Sequence, residues 1–252
     1  MGTSALIPAA PVLLDDVDRS EPPQIARLRE AIRQVLRTEE SWALPVETLP
    51  PVAGLGGWGI DRGIETETGR LLTGPEWIEA VESLTPADRQ LAEAADPAII
   101  VALLHAHAAE VAVGPIGSSE NLLLPLDLSG AATDDAPLAP IDGAAEFDAD
   151  LVDALTAESS AALNSGTTDR SLAGGSLTTS SDVVVAVDSD RLFDLCFQAR
   201  DVHADLTVVE AGIRNLISAN ATLSPFDLVF DEPVHDVRSI CGTGTWTRAD
   251  DD

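Results

Sequence analysis

Thr3-Ser4-Ala5-Leu6-Ile7-Pro8-Ala9-Ala10-Pro11, followed after an acidic stretch by Ser20-Glu21-Pro22-Pro23-Gln24-Ile25, is the stretch that decides the fold. Residues 3–7 are an apolar run of strand length, and Pro8 and Pro11, which lack a backbone N–H, stop it. Ser20 is a helix N-cap, and the two prolines after it suit a first turn whose N–H groups have no partner anyway. From there Ile25, Leu28, Ile32, Val35 and Leu36 recur at helical spacing to about Arg37, so the chain opens as strand, loop and amphipathic helix.

The same alternation continues outward. Proline and glycine punctuate residues 41–75, which predicts short strands at most around 43–49 and an exposed loop after them. Pro75 opens a helix carrying Trp77, Ile78, Val81 and Leu84, and Thr85 caps another with Leu91 on its inner face. Asp96 caps an almost wholly apolar helix, 98–109, whose all-round apolarity implies burial between layers. Residues 110–114 read as a strand, 147–163 as a helix, and 164–182 as a Ser/Thr/Gly-rich segment. Residues 182–187 read as the clearest strand, leading into a helix with Leu192, Phe193, Cys196 and Phe197. A strand at 206–209, a helix at 212–221 and two closely spaced strands at 227–230 and 239–241 complete the series. Strands alternating with helices define an α/β fold: a central, mostly parallel or mixed sheet flanked by helices, here one domain over 1–247 with an acidic tail at 248–252.

The charge is extreme. The chain has 43 acids, 14 cations that are all arginine, and a formal net charge of −29. Such a surface stays hydrated in concentrated salt, where acid–acid repulsion is screened, and points to the cytoplasm of a salt-accumulating halophile, an archaeon. Nucleic acid is excluded as a partner for want of clustered cations, since positions 29, 33 and 37 form only a helical Arg stripe that reads as a solvated face pairing with Glu30. No apolar run spans a bilayer, and the amino-terminal stretch lacks the basic region of a secretory signal. Cys196 and Cys241 lack metal or redox spacing and read as buried small hydrophobes.

Absent residue types narrow the chemistry. Without lysine there is no phosphate-binding P-loop lysine and no Schiff base; without tyrosine there is no phenolic acid. Gly54-Leu55-Gly56-Gly57-Trp58-Gly59 matches the dinucleotide fingerprint in letters, but it follows a proline-rich stretch and opens no helix, so no cofactor-binding residue is assigned. Four histidines remain. His105 and His107 lie two apart on a helix and point away from each other, one toward the core and one toward an edge. Asp231-Glu232-Pro233-Val234-His235-Asp236 is a turn dense with oxygen and nitrogen donors. A divalent cation, iron or zinc, would be sought first at Glu232 and His235, then at His203 and His105 should folding bring them near; the plain alternative is an acidic loop.

Four pieces of the chain, in order, resemble the class III extradiol dioxygenase superfamily, which includes the MEMO-like proteins. They are Ala5-Leu6-Ile7-Pro8-Ala9-Ala10-Pro11 with the Val12-Leu13-Leu14-Asp15 that follows, Val113-Gly114-Pro115-Ile116-Gly117-Ser118-Ser119, Ala145-Glu146-Phe147-Asp148-Ala149-Asp150-Leu151, and the run from Phe230-Asp231-Glu232-Pro233-Val234 to Gly244-Thr245-Trp246. The resemblance implies a central α/β sheet and, in active members, a mononuclear iron on two His and one Glu that opens catechol-like rings with O2. In this chain the first-ligand histidine falls on Ala9, whose methyl has no lone pair, so the implied metal site is degraded or rebuilt. The expected site then lies where the 8–11 loop, the 114–119 loop and the 231–236 turn meet at one end of the sheet, serving an aromatic or small acidic ligand. Catalytic residues are unassigned. A non-catalytic binding or assembly module, oligomeric or not, and a metal-dependent hydrolase are the alternatives.

Overall fold

The computed structural model describes residues 1–15, 17, 23–157 and 186–249. Its elements in order are β1 (Gly2–Pro8), α1 (Pro23–Leu36), β2 (Ser41–Ala43), β3 (Val52–Gly54), β4 (Arg62–Glu65), β5 (Arg70–Thr73), α2 (Pro75–Ser83), α3 (Pro86–Glu93), α4 (Pro97–Ala109), β6 (Ala112–Gly114), β7 (Leu122–Leu126), α5 (Ala144–Thr156), α6 (Ser189–Gln198), α7 (Thr207–Ser218), β8 (Ala221–Leu223), β9 (Asp227–Val234) and β10 (Val237–Arg248), with 3-10 turns at Pro11–Leu13, Gly56–Trp58 and Ala199–Val202. The fold is α/β. The main sheet runs β6-β2-β7-β1-β10-β8, with β9 also on β10, while β3, β4 and β5 form a second, antiparallel sheet. β6, β2, β7 and β1 are parallel, and β10 lies antiparallel to β1 in the register Leu6↔Gly242.

Side chains alternate along each strand, so each strand feeds two apolar layers. Ala5 and Ile7 of β1 pack with α1 and α4, whereas Leu6 packs with α5, α6 and α7. In β7, Leu123 joins the first layer and Leu122, Leu124 and Leu126 the second. Helices therefore cover both faces. β10 outruns β1: its first residues project past Pro8 and pair with β9, and α1 rests on this overhang, where Arg27 grips Glu232 through two bonds of 2.9 and 2.6 Å.

Several expectations change. Residues 206–209 begin α7 rather than a strand: Asp205 Oδ1 accepts the Thr207 N–H at 3.0 Å, and Val208, Val209, Ile213 and Leu216 bury one helical face. The helix propensity lost to two valines is only a few tenths of a kcal/mol each, which that burial outweighs. The expected loop after 49 is instead the β3–β4–β5 sheet. The glycine fingerprint has become a floor for an indole, because a Cβ at Gly54 or Gly63 would run into the Trp77 ring. β7 is a five-residue buried strand where the pattern predicts no element. Arg29, read as part of a solvated face, is 7% exposed and donates to the Leu13 and Leu14 carbonyls, both at 2.6 Å, tying the loop after β1 to α1. Arg33 does pair with Glu30. Arg248, assigned to the tail, pairs with Ala221 as the last residue of β10. The segment 164–182 and most of the strand read at 182–187 lie outside the described residues. No single helix among the described residues is long and apolar enough to cross a membrane.

Candidate functional site

β1 and β7 are adjacent and parallel, yet the chain leaves them on opposite faces. After β1 it turns into the layer of α1; after β7 it turns into the layer of α5. A crevice at the carboxyl ends of such strands is where open α/β sheets place their ligands. Asp127 stands there, one residue past β7. Its Oδ1 accepts the Ala9 N–H at 3.0 Å, so the loop after β1 and the end of β7 are joined through this carboxyl. Asp127 also exchanges two backbone bonds, 2.9 and 2.8 Å, with Asp205. An antiparallel rung of this kind puts both side chains on the same face as close neighbours.

A polar cavity of about 460 Å³ opens beside the pair, with Arg200, His203, Thr207 and Glu210 also in its wall. Burial raises the Asp127 carboxyl to about 7; the Ala9 and Ala10 N–H groups pull it down, while Asp205 and, further off, Asp96 push it up. Asp96 itself is raised, chiefly by burial, although it caps α4 through the Ala98 N–H at 2.8 Å. On the far side of the 127–130 segment, Asp148 is 3% exposed, accepts the Ser129 N–H at 2.9 Å and is lifted by burial to about 6. A carboxyl near 7 in a polar crevice is half protonated at neutral pH and can give or take a proton.

The histidines and acids singled out from the sequence are dispersed. His105 is buried on α4; burial, then the charges of Arg29, Arg33 and Arg62, depress it to about 3, surroundings that repel a cation. His107 sits at the edge expected of it, its Nδ1 2.9 Å from the Gly69 carbonyl. Glu232 is committed to Arg27, and Asp231 to Arg238 at 2.7 Å. His235 and Asp236, with φ of 50° and 60°, form the left-handed tip joining β9 to β10, which is a hairpin-turn geometry. His203 alone reaches the cavity beside Asp127. Among the described residues no group of three or more His, Cys, Asp or Glu could hold a metal ion. With Ala9 at the first-ligand position as well, the iron that the resemblance implies does not fit the residues present.

The three segments expected to meet do so only in part. The 8–11 loop and the 231–236 turn share the carboxyl end of β1. The 114–119 loop starts at the carboxyl ends of β6 and β2, where the Ile116 N–H bonds the Val46 carbonyl at 2.9 Å, on the far side of β7 from β1, and its second half returns to the opposite end, where Ser119 bonds Ser41 and the Glu120 carbonyl accepts Trp246 Nε1 opposite Gly2. Asp127 and Asp205 are not among the residues that type or spacing singles out. The available signal was Leu122-Leu123-Leu124-Pro125-Leu126-Asp127, a continuous apolar run ending in an acid, which is how a buried parallel strand reaches a crevice. Comparison with known proteins adds no relative: no family model, no curated protein and no solved structure matches the chain.

Proposed function

We propose that the protein is an acid–base enzyme acting on a small polar molecule in the crevice between β1 and β7, with Asp127 as the group that transfers the proton. The observation that carries this reading is the position of Asp127: at the topological switch point, on a rung beside Asp205, with a polar cavity in front. Asp205 acts as a positioning residue that disfavours ionisation of its neighbour and fixes the start of α7. Arg200 supplies a cation for an anionic group of the ligand, and His203 a second polar contact. If the extradiol-dioxygenase-like resemblance reflects descent, this is a site rebuilt without iron, since the Ala9 backbone N–H now serves Asp127 where a histidine ligand is expected. The acidic, lysine-free composition supports a cytoplasmic setting in a salt-accumulating cell.

The test is proton exchange from D2O into the acidic C–H positions of small hydroxy and oxo compounds, followed by 1H NMR in molar KCl. Exchange should be catalysed with a pH midpoint near 7 and fall by about 100-fold or more in Asp127→Asn, the usual weight of a general acid or base. A 13C carboxyl titration should place Asp127 in the same range. A carboxyl titrating at an ordinary carboxylate pH, or stoichiometric iron or zinc in protein purified in salt, would overturn the reading. Binding of such compounds with no exchange at all would turn it toward a binding module.

A further inference from the structure

A second cavity, of about 740 Å³, lies away from the Asp127 crevice between the small sheet and the pair α2–α3. Two of the chain's four tryptophans, Trp58 and Trp77, line it, in a protein that has no tyrosine. Trp77 is buried flat against the glycine floor of β3 and β4, whereas Trp58, on the 3-10 turn Gly56–Trp58, is 49% exposed. Ile78 and Val81 continue the apolar wall, and Ile78 is exposed too. An indole left half in water at the mouth of an apolar cavity is the arrangement of a ligand platform, because its face gains little until something covers it.

The charges around this cavity are one-sided. Asp61, Glu82 and Glu93 line it as exposed carboxylates. Among the described residues one cation stands in the wall against these three acids, Arg89, whose Nη2 donates to the Val81 carbonyl at 2.9 Å. A neutral apolar guest would leave the acids without a counter-charge, and an anion would be repelled. We propose that the Trp58–Trp77 cavity binds an apolar organic cation, an amine or quaternary ammonium group attached to a flat hydrophobic body. The body lies on the indoles and the cationic head meets the ring face and the acidic rim, contacts that survive in salt because they are short-range. This inference is independent of the reading of Asp127.

The probe is benzyltrimethylammonium, with neopentylbenzene as its neutral carbon isostere, titrated by calorimetry at 0.2 and 2 M KCl. The cation is expected to bind about tenfold or more tighter than the isostere, the difference a desolvated cation–π contact supplies. Trp58→Ala, at an exposed ring, should weaken the cation by about fivefold or more. The double substitution Glu82→Gln with Glu93→Gln should weaken the cation and leave the isostere unchanged, which guards against a folding defect in the tryptophan variant. Equal affinity for the two probes would overturn the proposal, as would no saturation by the cation below about 10 mM or full binding by Trp58→Ala. Asp127→Asn should leave this binding untouched, so failure here and failure of the acid–base reading are told apart.

Discussion

At Asp127 a carboxyl is held where its charge is disfavoured, and the sign of the resulting pH dependence follows directly. The folded form keeps its proton up to about 7, whereas the ordinary value is 3.8. Between those values the folded state holds a proton that the unfolded state has released, so this group's stabilising contribution is full below the window and is lost as pH rises through it. His105 acts in the opposite sense: kept neutral down to about 3 against an ordinary 6.5, it costs stability as pH falls through that range. The wild-type curve sums the two, and Asp127→Asn isolates one. The amide retains an oxygen for the Ala9 N–H, so the two should match near pH 3, below both values, and by pH 5 the variant should already be more stable by about 1–2 kcal/mol. By pH 8 that advantage should have grown by about 2–3 kcal/mol more, since the folded wild type holds its proton up to about 7 while the unfolded chain does not. Denaturant unfolding across pH 3–8 in molar KCl measures this, and an equal change at both ends would show that Asp127 does not hold its proton. Apart from the apolar run that ends on it, Asp127 reads like the other 42 acids, because its character comes from neighbours 118 residues earlier and 78 later. Glu232 and His235 stood out by residue type, but arginine pairing and turn geometry account for their surroundings.

Among the elements, the small sheet shows how a motif's letters can serve a different end. Gly54, Gly56 and Gly63 bring two strands and a turn against one indole, and the fingerprint over residues 54–59 has no α-helix after it to bind a pyrophosphate. Gly63→Ala would set a methyl into the Trp77 ring and 2.6 Å from the Ala53 carbonyl oxygen. Thermal unfolding should show a loss of about 1–3 kcal/mol, the scale of an overpacked core, together with a shift in tryptophan emission. Gly57→Ala, with no atom within 4 Å of the added carbon, is the control and should change stability by under about 0.5 kcal/mol. Elements whose pattern is local were legible: β1 and α1 through proline punctuation and helical spacing, α4 through its capping Asp96 and unbroken apolarity, and β9 and β10 in part, through closely spaced apolar runs, although Asp231–Val234, read as turn, extend β9 and leave only His235-Asp236 between the strands. Elements decided by distant partners were not. β7 reads as a plain leucine run until β1 lies beside it, and the valines of α7 favour a strand until Asp205 Oδ1 takes the Thr207 N–H and the sheet takes one face. Pro125 further hides β7, and it is tolerated because β2 reaches only Leu122 of this strand.

Over the whole molecule the net charge of −29 sets a condition that individual contacts cannot relieve. Ion pairs such as Arg191–Asp153 and Arg214–Glu210 lie at the surface, where each contributes well under about 1 kcal/mol, and with 14 arginines against 43 acids most carboxylates must face one another through solvent. At 0.1 M salt the Debye length is about 10 Å, so repulsion reaches across several neighbouring side chains; at 1 M it is about 3 Å, shorter than the usual spacing of surface groups. The unfolded chain spreads the same charge over a larger volume, so screening favours the folded state. Raising KCl from 0.1 to 2 M should therefore lift Tm by roughly 10 °C or more, a few kcal/mol for a chain of this size. Sucrose at matched osmolality strengthens apolar burial without screening charge and should give a much smaller rise. If sucrose matched KCl, or if Tm stayed level with salt, the acids would have to be neutralised within the fold, and the surface reading that frames the choice of molar KCl in every other experiment would fail with it.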